Sequence, residues 1–87
     1  PPPFDGSREL GDAFIKSCML YLQLRSNDFP SVTESIGWVL SFMNSGRAQE
    51  WRSNVLQYYM DHEQMYQWTT IDEFVAEFKT EFLPLNE

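Results

Sequence analysis

Between residues 29 and 56 the apolar positions fall into two blocks at helical spacing, parted by Asn44-Ser45-Gly46. In the first block Ile36, Val39, Leu40 and Met43 stand at i, i+3, i+4 and i+7, which predicts one buried helix face over residues 32–43. Ser31 followed by Glu34 is a capping-box pair that would open this helix. In the second block Ala48, Trp51, Val55 and either Tyr58 or Tyr59 mark a face over residues 47–60, with Ser45 as the starting cap. The short joint predicts two antiparallel helices, and the rest of the chain is expected to be organised around that pair.

A first helix is predicted over 8–25, started by Ser7 or Asp12. Leu10, Phe14, Cys18 and Tyr21 line one side, and Ile15, Met19 and Leu22 widen it. Leu20 and Leu24 fall beyond that side, leaving Asp12, Lys16 and Gln23 as the polar strip. So wide an apolar sector belongs to a central helix or to one with a flank that meets another chain. Ser26-Asn27-Asp28 turns the chain into Phe29-Pro30, with Phe29 expected in the core. Thr70 with Glu73 repeats the capping-box pattern, and Ile71, Phe74, Val75, Phe78 and Phe82 give the cleanest amphipathic period, over 71–83, before Pro84. The stretch 62–69 has no period and is expected to be a loop that returns some of its rings to the core.

Pro1-Pro2-Pro3 enters extended, and Phe4 ahead of the Asp5-Gly6 turn is expected to dock on the helices. The fold class that follows is all-α. It is a small orthogonal or antiparallel bundle of four main helices, one domain over 1–87, with an arm at 1–6 and a helical core at 7–83. Trp38 and Phe42, at i and i+4, lie off the main face of their helix. Either a wide core takes both faces, or these rings form a contact stripe of the kind enriched at interface hot spots.

Composition limits the chemistry. Of 87 residues 16% are aromatic, so a ring-rich core is within reach without a disulfide or a metal. Cys18 is the single cysteine, which excludes an intrachain disulfide and a Cys-rich zinc site, and a reducing, intracellular setting is expected. No run approaches the ~18 apolar residues of a membrane span. The chain begins at Pro1 without Met or a basic-then-apolar leader, which predicts a piece of a longer, non-secreted polypeptide. Net charge is −7, and residues 61–87 hold seven acids against Lys79 alone. Such a surface repels phosphate backbones, so no direct nucleic-acid partner is expected. His62 is the only histidine, in a loop and far from Cys18, so no nucleophile–base pair is in view. Asp61, His62 and Glu63 are adjacent on a helix end and cannot all face one ion. No catalytic residue, cofactor or metal ligand is assigned, and an enzyme is not expected.

A Phe29-Pro30 opening, Ile36 with Val39-Leu40-Ser41, then Gly46-x-Ala48-x-x-Trp51 resembles the N-terminal lobe of the Gag capsid of gypsy-type LTR retrotransposons. Phe4-Asp5-Gly6, Phe14, Tyr21, Phe74, Phe78 and Phe82 extend the resemblance over nearly the whole chain, although Ile71 stands where the family often has Trp. The resemblance implies a structural domain that packs against copies of itself in a cytoplasmic, virus-like particle. It alternatively implies a domesticated host adaptor whose hydrophobic groove, under Phe4 or beside Trp38 and Phe42, takes a peptide. Contact residues would be Phe4, Leu20, Leu24, Trp38 and Phe42. The family's RNA-binding zinc knuckle has no counterpart here.

Overall fold

The computed structural model describes residues 1–84; the last three positions of the expected 1–87 domain lie outside the described residues. Among the described residues four helices follow the arm, namely α1 (Arg8–Leu24), α2 (Val32–Leu40), α3 (Gly46–Asp61) and α4 (Ile71–Phe82), with a short 3-10 helix at Ser26–Asp28 between α1 and α2. No strand occurs among the described residues, so the chain is an all-α bundle.

The close helix packing runs from α4 to both α1 and α2. This corrects the expectation that the α2–α3 pair is the organising unit. The physical reason lies in α4, where Phe74, Phe78 and Phe82 form an unbroken ring ladder at i, i+4 and i+8, each at most 1% exposed. The predicted core residues Phe14, Cys18, Ile36, Val39, Leu40, Met43, Ala48 and Val55 are buried around that ladder. Trp51 is half-buried, its ring centroid 5.4–6.2 Å from those of Phe74, Phe78, Phe82 and Trp68. Trp68, from the irregular 62–69 loop, is buried beneath it.

On α1 the buried face is Gly11, Phe14, Ile15, Cys18 and Leu22. It is turned toward Ile15 and Leu22 because Gly11 packs on the end of α4, where a Cβ would stand 3.3 Å from the Phe82 carbonyl oxygen. Leu10, expected inside, is therefore exposed, and Tyr21 is half-buried at the edge rather than in the core. Burial pushes the Cys18 thiol up to about 12, so it packs as a small hydrophobe with no thiolate at neutral pH.

α2 ends at Leu40, three residues earlier than its apolar period. The last turn tightens through Phe42 N–H to Val39 O and Met43 N–H to Leu40 O, and the tighter winding still buries Met43. At the start of α2 the Glu34 carboxylate accepts from the Ser31 N–H at 2.9 Å. At the start of α4 Thr70 Oγ1 accepts from the Glu73 N–H, while the Glu73 carboxylate reaches past Thr70 to the Thr69 N–H at 2.8 Å and to its hydroxyl.

Those Thr69 bonds hold the Glu73 carboxyl below its usual value. A depressed folded-state pKa contributes stability that is present above the unfolded carboxylate value and lost as pH falls through the folded one. Urea midpoints of the native chain and of Glu73→Gln, taken from about pH 6 to about pH 3, should therefore converge on acidification. A gap that stays constant would show that the Thr69 bonds do not discriminate between the charged and neutral carboxyl.

Candidate protein-contact face and the docked arm

The arm is held as a ligand would be. Phe4 is 1% exposed, its ring stacked 4.7 Å from Phe14 and edge-on to Phe82 at 5.3 Å. Its N–H donates to the Phe42 carbonyl at 2.8 Å, and the Asp5 carbonyl accepts from the Ala48 N–H at 3.3 Å. That second bond satisfies one of the orphan donors in the first turn of α3. Ser45, expected to cap this helix, occupies the cap position without a side-chain cap bond. Glycine is required on both sides of the contact. Gly6 has φ +96° and Gly46 has φ +58°, and a Cβ on Gly46 would lie 2.5 Å from the Asp5 oxygen.

Two arginines of α3 close the ends of other elements. Arg47 donates to the Gly6 carbonyl at 3.4 Å and to the Glu81 carbonyl at 3.2 Å, pairs with the Glu81 carboxylate at 3.5 Å and lies over the Phe82 ring. Arg52 donates to the Leu40 and Met43 carbonyls at 3.5 and 3.4 Å, at the end of α2. Neither role was read from the sequence. The available signal was Arg47 in the first turn of its own helix, where the dipole disfavours a cation unless it serves another element.

Of the five expected contact residues, Phe4 is corrected to a core position, since its own ring fills the groove proposed beneath it. Of the other four, Trp38 and Phe42 pack together, and Leu20 and Leu24 are exposed on α1. Trp38 is half-buried and stacked on Tyr21 at 4.7 Å, with Phe42 edge-on at 5.1 Å and Phe29 edge-on at 5.5 Å. Tyr21 carries this ring cluster across to α1, where Leu20 precedes it and Leu24 lies one turn on, 58% and 72% exposed. Arg25 covers the Tyr21 ring from the rim at 5.4 Å. The two readings of Trp38 and Phe42 thus resolve into an intermediate state, in which one side rests on the core and the other faces solvent. Beside the cluster, Met19, Leu22, Phe29 and Ile71 line an apolar cleft of about 390 Å³.

Among the described residues no group of three His, Cys, Asp or Glu side chains is placed to hold a metal ion, and no helix is long and apolar enough to cross a membrane. The described residues form a small all-helical domain that carries a half-exposed aromatic cluster and exposed leucines. Comparison with family models, curated proteins and solved structures finds no match.

Proposed function

We propose that this chain is a structural, self-associating domain of the kind that forms the N-terminal lobe of gypsy-type Gag capsids, and that it acts by packing against copies of itself in a particle shell. The observation that carries the reading is the half-exposed ring cluster of Trp38, Phe42 and Tyr21, with the solvent-exposed Leu20 and Leu24 on the same helix as Tyr21. The order and spacing of the apolar residues along the chain support the resemblance. Shells use many individually weak contacts, and a lobe of this size offers patches below the ~1,000 Å² of a stable interface. Weak, concentration-dependent association is therefore expected of the isolated chain. Amide resonances around Trp38 and Leu24 should shift as concentration rises, more so in salt that screens the −7 charge. Trp38→Ala with Phe42→Ala should abolish the shifts around Trp38 and leave the helical spectrum intact. Unchanged concentration dependence in the double variant would remove this face from the reading.

The adaptor alternative is favoured by one observation, the 390 Å³ apolar cleft beside Phe29. It predicts a foreign peptide that shifts resonances lining the cleft, with no dependence on the concentration of the chain itself.

A further inference from the structure

The outward side of α1 carries a pattern that the helix's own core does not use. Leu10, Ala13, Ser17, Leu20 and Leu24 follow one another at intervals of three and four, the a and d positions of a heptad, and all five are exposed. The three leucines are 55%, 58% and 72% exposed. A stripe of this period runs straight along a helix and matches another helix rather than a flat surface or an extended peptide.

Beside its small residues lies a hole. Pro2 and Pro3 of the docked arm, with Leu10, Ala13, Phe14 and Ser17, enclose an apolar cleft of about 110 Å³, room for one aliphatic side chain. We propose that α1 pairs antiparallel with α1 of a second copy, each Leu20 inserting into the cleft at Ala13 of the other. This rests on the self-association reading and names one contact within it.

The size order along the stripe selects the direction. Run antiparallel about Ser17, Leu20 meets Ala13 twice, Leu10 meets Leu24 twice, and Ser17 meets Ser17. Run parallel, the two alanines and two serines would face each other across a void, with leucine opposed to leucine at either end. The stripe holds both the knob and the hole, which makes it complementary to a second copy of itself, and its charge permits that occupant. Residues 8–25 carry Arg8, Lys16 and Arg25 against Glu9 and Asp12, net +1, in a chain of net −7. Two such helices bring a net charge of only +1 each to the seam, and the acidic residues 61–87 lie outside it. Lys16, beside the two-fold axis, already has its charge answered by Asp12 at 2.8 Å. The seventeen-residue helix is about 25 Å long. One such seam is too small for a stable dimer and suits a weak contact repeated many times.

The test is a size swap on a solvent-facing surface, followed by sedimentation equilibrium up to millimolar chain. Ala13→Leu fills the hole and Leu20→Ala removes the knob, so each alone should weaken dimerisation by about tenfold or more. The double variant Ala13→Leu/Leu20→Ala regenerates one large and one small residue at each antiparallel contact and should restore it. Far-UV circular dichroism of all three variants should match the native chain. A double variant as weak as the singles, singles without effect, or a chain that remains monomeric at millimolar concentration would each overturn the pairing. Trp38→Ala, run alongside, separates the claims. Association lost in Trp38→Ala but indifferent to positions 13 and 20 would overturn the seam while leaving the self-associating reading in place.

Discussion

Phe78→Ala is expected to cost about 3–5 kcal/mol and to leave the chain largely unfolded at room temperature. Phe78 is fully buried at the middle of the α4 ladder and meets Phe4, Phe14, Trp51 and Phe82. Four rings from the arm, α1, α3 and α4 thus converge on one side chain. Removing it opens a cavity that no single neighbour can fill, because each is fixed from a different element. Trp51→Ala should be the milder of the two, since Trp51 is half-buried and Trp68 can settle toward the gap. Urea melts of the two variants decide it. A greater loss in Trp51→Ala would return the organising role to α2 and α3 and displace α4 from it.

The second large effect concerns a residue outside every helix. Phe4→Ala should cost about 3–5 kcal/mol, as much as a core phenylalanine, although it sits in an arm that begins with three prolines. Its ring is 1% exposed, and its loss also loosens the backbone bonds from Phe4 to Phe42 and from Ala48 to Asp5. Those bonds hold the turn that carries Phe42 and the first turn of α3, so the loss spreads beyond the cavity. A chain lacking residues 1–6 should melt at least as early as Phe4→Ala. Native-like stability in either variant would mean that the arm is an ornament on a complete core.

What could be read from the sequence was periodic. Phe74, Phe78 and Phe82 announce their helix by spacing alone, and each of the four helices begins within a residue of a start that the sequence offered. Leu10 and Tyr21 were misassigned because spacing defines a sector of a helix, while the neighbour chooses its centre. Gly11 against the end of α4 made that choice, and a glycine contributes nothing to a hydrophobic pattern. The early end of α2 was hidden for a related reason, since a turn of 3-10 winding keeps Met43 inside and so preserves the apolar order. Arg47 and Arg52 act on carbonyls of distant elements, and no local rule links a guanidinium to a helix end twelve or thirty-four positions away. Of the candidate contact residues, Leu20, Leu24, Trp38 and Phe42 were legible as surplus apolar residues. The stacking of Tyr21 on Trp38 was not, because it depends on how α1 and α2 sit side by side.

Self-association as the working state of this domain is tested most directly by sedimentation velocity of a longer polypeptide that contains the chain, at high concentration and raised salt. Large, homogeneous particles that disappear in the Trp38→Ala/Phe42→Ala variant are the predicted result. A longer polypeptide that stays monomeric under those conditions, with both rings intact, would contradict it.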